Sequence, residues 1–228
     1  MSLIVNANVE KYDDIYKNGH DKSYPNLDLV RLERWYFNGK PGAALDYGCG
    51  TGVNMIHLLS RGYRATGIEA SAEGLKLVER KLQSLPADQR ERADLKLIDP
   101  NSKRLPLDDN SLDYVVCMSV LSLLETKERI QELIAEFHRV LKPGGKMIVD
   151  VNGPTSDFAA KGKFISEDIY EFSLRDHHKG GVLCYCPQSK ESFAKLFGQG
   201  WVMDDLGYVA FNYANINELE FLACVHKA

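Results

Sequence analysis

Between Ala43 and Val151 the chain alternates apolar runs of strand length with amphipathic stripes of helical spacing. Nothing else in the sequence constrains its fold as tightly. AALDY (43–47), YRATGIEAS (63–71), ADLKLID (93–99), LDYVVCMSV (112–120) and KMIVDV (146–151) read as strands. VNMIHLLSRG reads as a helix closed by Gly62, and SAEGLKLVERKLQSL as one capped by Ser71 with Pro86 beyond its end. ETKERIQELIAEFHRVL places Ile130, Leu133, Ile134, Phe137, Val140 and Leu141 on one stripe, and Lys142-Pro143-Gly144-Gly145 stops it. Strands alternating with such helices are joined by right-handed crossovers and form a parallel sheet covered on both faces.

The flanking segments differ. Residues 1–41 are polar and aromatic, and LDLVRLERWYF suggests a helix because Leu29, Leu32, Trp35 and Tyr36 recur at helical spacing. Residues 152–188 break the rhythm, with one candidate strand at GVLCYC. SKESFAKLF follows as a helix capped by Ser189, and WVMDDLGYVA and ELEFLACVHKA form two strands whose short link suits an antiparallel pair. The expected fold is α/β: a doubly wound, mainly parallel seven-stranded sheet with an antiparallel last strand and helices on both faces. A single domain over 1–228 is expected, with an N-terminal helical cap (1–41), a core (42–151), an insertion (152–188) and a C-terminal helix with antiparallel strands (189–228).

The first strand runs into Gly48-Cys49-Gly50-Thr51-Gly52 and then a helix. Glycines at a strand's carboxyl end let backbone approach a ligand closely. The dinucleotide fingerprint G-x-G-x-x-G needs a glycine five positions after its first, but Val53 and Met55 stand there. What remains is Asp46-x-Gly48-x-Gly50-x-Gly52, with Glu69 seventeen residues after Gly52 at the second strand's end. Each oxygen of such a carboxylate can accept from a different ribose hydroxyl.

LDYGCGTG resembles the first motif of the class I S-adenosylmethionine-dependent methyltransferases, and the matches continue through most of residues 43–151. The resemblance implies S-adenosyl-L-methionine as cofactor and S-adenosyl-L-homocysteine as product. It lays Gly48, Cys49, Gly50 and Gly52 under the methionyl part, with Asp46 near its amino group. Glu69 goes to the ribose, and Ala70 and Ser71 to the adenine edge. Asp99 lies six residues before Leu105 and Asn101 four, so either is a partner for the adenine amino group. Met118 and Ser119 border the sulfonium. Family N-terminal segments often fold over the cofactor, which makes Tyr12, Tyr16 and Tyr24 candidates near the methyl and Arg31 a candidate for the cofactor carboxylate.

The expected activity is methyl transfer to a small-molecule acceptor by in-line displacement, in which alignment in a dry pocket supplies much of the acceleration. A base is needed only if the attacking atom must lose a proton. Candidates are Tyr16 and, within the polar cluster Arg175-Asp176-His177-His178, the two histidines. No metal is expected, since Cys184-x-Cys186 lacks the gap of two to four residues usual for zinc. The net charge of −4 offers no field for nucleic acid. The Asn/Asp-Pro-Pro-Tyr signature of base-modifying relatives is absent from CMSVLSLL. Methylation of protein or RNA, a regulatory protein that binds the cofactor without catalysis, and a nicotinamide oxidoreductase are the competing readings. The N-terminus lacks a secretory pattern and no apolar run reaches membrane-spanning length. The odd cysteine count reads as reduced thiols in cytoplasm. A monomer or homodimer without membrane attachment is expected.

Overall fold

In the computed structural model, which describes residues 3–172 and 181–228, the chain opens with helices α1 (Leu3–Lys17) and α2 (Leu27–Leu32) and a π-helical turn, Glu33–Phe37. The core follows as β1 (Ala43–Tyr47), α3 (Val53–Ser60), β2 (Arg64–Glu69), α4 (Ala72–Gln83), a short α5 (Ala87–Arg90), β3 (Ala93–Leu97), β4 (Leu112–Cys117), α6 (Lys127–Val140) and β5 (Leu141–Asn152). The remainder holds α7 (Asp157–Ala160), β6 (Lys163–Ser166), β7 (Ile169–Phe172), β8 (Val182–Tyr185), α8 (Lys190–Ala194), β9 (Trp201–Tyr213) and β10 (Ile216–Lys227).

The main sheet has seven strands in the order β3-β2-β1-β4-β5-β10-β9. β1 pairs in parallel with β2 and β4, and β4 with β5. The last strand, β10, runs antiparallel between β5 and β9. The order reverses at β1, so the crevice between the carboxyl ends of β1 and β4 is where this architecture binds ligands.

Two apolar layers hold the sheet. One face packs Phe137, Ile130 and Ile134 of α6 onto Leu45, Val115 and Met147. The other packs Leu29 and Phe37 with Met55 and Leu58 of α3 onto Ala44, Val116 and Ile148. The sequence stripe of α6 is the face that is buried, and Thr126 caps the helix by accepting from the Arg129 amide at 3.2 Å.

Under the π-helical turn, Glu33 is 1 % exposed and accepts from the Tyr63 hydroxyl at 2.7 Å, with Arg61 at 3.5 Å. Removing that hydroxyl leaves a buried carboxylate short of a donor. Tyr63→Phe is therefore expected to cost about 1–3 kcal/mol, read as a lower urea midpoint with unchanged slope.

Two expectations need correction. Residues 152–188 carry not one strand but a second, antiparallel sheet, β6-β7-β8. β8 falls within GVLCYC, whereas β6 and β7 are four residues each and uniformly exposed or half-buried, so no apolar alternation marks those two. The β9–β10 link is also tighter than expected. Ala214 and Asn215 both have positive φ and turn the chain within two residues, as the right-handed twist of a hairpin favours.

Candidate active site

The loop after β1 is held by its neighbour. The Ile68 carbonyl accepts from the amides of Gly48 (2.8 Å) and Cys49 (3.1 Å). Glu69 then fastens the bend: its carboxylate accepts from the Gly50 amide at 2.7 Å, Ala70 at 2.8 Å and Ser71 at 2.9 Å. Burial raises its carboxyl above the usual range while these amides pull it back. Three donors leave part of the carboxylate's roughly four acceptor directions for a ligand hydroxyl.

Gly48, Gly50 and Gly52 all have positive φ. At Gly50 (φ +54°) a Cβ would lie 2.9 Å from the Tyr16 hydroxyl oxygen. The loop thus has room for a side-chain-free backbone facing α1 and nothing larger. Cys49 is buried and its thiol is pushed well above the ordinary range by burial, so it is no nucleophile.

Asp46, next to last in β1, is 1 % exposed. Its Oδ2 has no hydrogen-bond partner. Burial pushes the carboxyl up to about 7, against the pull of the Met55 amide. A buried charged group with an empty acceptor is costly unless something positive pairs with it.

Ser71, also 1 % exposed, caps α4 by accepting from the Gly74 amide at 3.0 Å, and its hydroxyl donates to Asp13 of α1. Asp99 and Asn101 sit together rather than as alternatives: Asp99 accepts from the Asn101 amide at 2.8 Å and from its side chain at 3.2 Å. At the end of β4, Met118 is buried. Ser119 takes a positive φ of 61°, and its amide donates to Asp150 at 2.6 Å.

Helix α1 lies across this crevice. Besides Asp13 on Ser71, it sets Tyr16 over Gly50, with the Tyr12 ring one turn away, tilted against it at 6.0 Å between ring centres. Its other end reaches the second sheet. Asn8 donates to the Leu123 carbonyl at 3.3 Å and to Glu125 at 3.4 Å, and Lys11 to the Gly181 carbonyl.

Tyr24 and Arg31 are not brought to the loop. Tyr24 is 71 % exposed, and Arg31 pairs with Asp28 at 3.1 Å on the surface. His177 and His178, with Arg175 and Asp176, lie outside the described residues. Among the described residues no cluster of His, Cys, Asp and Glu could hold a metal ion. Asp13 on Ser71 and Asp150 on the Ser119 amide were not expected here. The i,i+4 spacing of Tyr12 and Tyr16 was the signal that could have placed α1 and Asp13 over the loop.

A glycine bend at the tip of β1, facing an acid at the tip of β2 at the sheet's switch point, defines a Rossmann-like fold built to hold an adenosine-containing cofactor. Residues 45–149 match the family model of a methyltransferase domain. The methyltransferase-named protein YqeM of Bacillus subtilis (strain 168) is 31 % identical over 144 residues, which are 59 % of this chain and 56 % of that protein. Demethylmenaquinone methyltransferase of Oceanobacillus iheyensis is 30 % identical over 116 residues, 49 % of this chain and 45 % of that one. The chain thus spans about half the length of these curated relatives.

Among solved structures, a SAM-dependent methyltransferase of Methanosarcina mazei superposes with a TM-score of 0.71 at 22 % identity, over 90 % of this chain and 99 % of that one. The glycopeptide N-methyltransferase MtfA, complexed with S-adenosylmethionine, gives 0.67 at 19 % identity over 92 % and 98 %. These two show the shared fold. Residues 45–149 are thus a methyltransferase domain by that match, on a chain with the fold of the class I S-adenosylmethionine-dependent methyltransferases.

Proposed function

We propose that the protein transfers a methyl group from S-adenosyl-L-methionine to a small-molecule acceptor. The observation that carries this reading is the pairing of a side-chain-free bend, locked to Glu69, with the unpartnered, buried carboxylate of Asp46. The site fits the cofactor on both counts. The bend accepts nothing bulkier than backbone, and Asp46 lacks a positive partner such as the amino group of a methionyl moiety would provide.

In this reading Gly48, Cys49, Gly50 and Gly52 hold the methionyl part by backbone. Glu69 orients the ribose through a hydroxyl, Ala70 and Ser71 line the adenine edge, and the Asp99–Asn101 pair meets the adenine amino group. Met118 and Ser119 flank the sulfonium. When bound, the cofactor supplies a methyl made electrophilic by positively charged sulfur. The protein's part is to align the acceptor with that methyl and to exclude water, and α1 suits the second task by closing the crevice. The whole chain is read as one domain, with the 152–188 segment on the acceptor side.

A net charge of −4 favours an acceptor other than nucleic acid. Among the described residues no helix is long and apolar enough to cross a membrane. All five cysteines, 49, 117, 184, 186 and 224, are free and buried, which supports a reducing compartment such as the cytoplasm.

Calorimetry with S-adenosylhomocysteine and NAD side by side tests the reading. Saturable binding of the first and none of the second is expected, and a response to NAD alone overturns it. Because the Tyr16 hydroxyl stands over Gly50, it has to shift before a ligand reaches the loop. Tyr16→Ala should accordingly speed S-adenosylhomocysteine association severalfold in stopped-flow fluorescence.

A further inference from the structure

One face of the sheet, next to the expected methyl position, gathers acceptors that have no donor. Asp150 lies two residues before the end of β5, on the face that also carries Ile148, Val116 and Leu222. It is 1 % exposed. One carboxylate oxygen takes the Ser119 amide, and Oδ2 has no partner. Two residues on, Asn152 shares that face and is 6 % exposed. One of its side-chain polar atoms meets Ser122 at 3.3 Å and the other has no partner. Whichever way that amide is turned, a buried polar atom is left unmet. Glu220 stands directly across the strand pair from Asn152, with Glu218 two residues away on the same face, and both are half-buried.

We propose that Asp150, Asn152, Glu218 and Glu220 form the acceptor subsite, and that the acceptor is an amine, held as its ammonium ion, whose nitrogen is methylated. This rests on the methyltransferase reading above and narrows its substrate class. Four side chains from two paired strands present three carboxylates to one patch. The other charged groups facing it are Lys22 from the loop before α2, Asp28 of α2 beside Glu220, and Asp157 of α7 beside Glu218. Asp28 and Asp157 are paired locally, with Arg31 at 3.1 Å and Lys161 at 2.6 Å, which leaves the exposed Lys22 facing the three carboxyls of the patch itself. An anionic acceptor is repelled from such a patch. A neutral alcohol offers one donor, whereas an ammonium ion offers up to three together with a full charge.

The chemistry also needs a base, since an ammonium nitrogen has no lone pair. Asp150 Oδ2 takes the N–H proton, and the electron pair of that bond stays on nitrogen. That pair forms the N–C bond to the methyl as the C–S pair withdraws onto sulfur, and Asp150 later gives its proton to water. Burial holds the carboxyls of Asp150 and Glu220 well above the ordinary range, with Glu218 raising Asp150 and Asp150 raising Glu220, as suits a base working near neutral pH.

The test is calorimetry on the full chain with benzylamine and butylamine against benzyl alcohol and butanol, with and without S-adenosylhomocysteine. Wild type, Asp150→Asn and Glu220→Gln are compared in phosphate and in Tris. Asparagine at 150 keeps an oxygen for the Ser119 amide, and Glu220 is half-buried, so at least one variant retains the fold. The expected result is amine binding at least about tenfold tighter than that of the matched alcohols, lost in both variants. The measured heat should differ between the two buffers, because the bound ammonium displaces carboxyl protons. Equal affinity for amines and alcohols, or an amine preference unchanged in both variants, overturns the proposal. Saturable S-adenosylhomocysteine binding beside that negative leaves the methyltransferase reading standing. Failure to bind S-adenosylhomocysteine overturns that reading instead, while the amine arm without it still decides the subsite.

Discussion

Gly50→Val is expected to lower affinity for S-adenosylhomocysteine at least about a hundredfold, a loss near 2.7 kcal/mol. Two effects add. The new Cβ alone comes within 2.9 Å of the Tyr16 hydroxyl oxygen, and the rest of the side chain projects into the space the ligand needs. A β-branched residue is also strained at φ +54°, by roughly 1–2 kcal/mol. The sheet's far side does not feel the change, since the β9–β10 hairpin and its pairing with β5 lie at the opposite edge. Calorimetry read beside urea unfolding separates the effects: binding should vanish while the unfolding transition stays cooperative, with only a modest shift in midpoint. Normal binding by this variant would show that the ligand sits elsewhere.

Asp46→Asn is expected to move stability and binding in opposite directions. The folded-state carboxyl titrates at about 7 because burial disfavours its charge, whereas in the unfolded chain it titrates near 3.8. Between those values the folded state holds more protons than the unfolded one, so stability falls as pH rises through that window and levels off above it. Asparagine carries no such penalty and keeps an oxygen for the Met55 amide. The variant should therefore gain roughly 2–4 kcal/mol at pH 8, with a much smaller gain at pH 4.5, and show a flatter pH profile in urea titrations. The same change removes the negative charge that awaits an amino group, so S-adenosylhomocysteine affinity should drop about tenfold. A variant that gained no stability at pH 8 would mean that Asp46 already has a partner in solution.

The parts of the site that were legible in the sequence are those made by contiguous residues. Asp46 to Gly52 is one turn, and its conformational demands are written in its glycines. Glu69 falls at the end of the next strand, so its position follows once β1 and β2 are parallel neighbours. Asp150 and Glu220 are seventy residues apart and become neighbours only when β10 inserts antiparallel beside β5. No local pattern encodes that register. Arg31 and Tyr24 lie away from the loop for a related reason. The sequence shows that a cap exists, but Asn26 begins α2 by accepting from the amides of Asp28 and Leu29, and the helix it starts holds Arg31 in a local pair with Asp28. The strands β6 and β7 carry no periodic signature, because each is four residues long and uniformly exposed or uniformly half-buried.

Helix α1 is pinned at two points, by Asp13 and Tyr16 on the adenosyl side and by Asn8 and Lys11 against Glu125 and Gly181. From residue 8 to residue 16 it is a stiff rod about 12 Å long. Such a rod cannot tilt away from one anchorage without straining the other. On the proposed function, loading of donor and acceptor would go through a shared turnstile, and the pace of each catalytic cycle would include the time this rod takes to reseat.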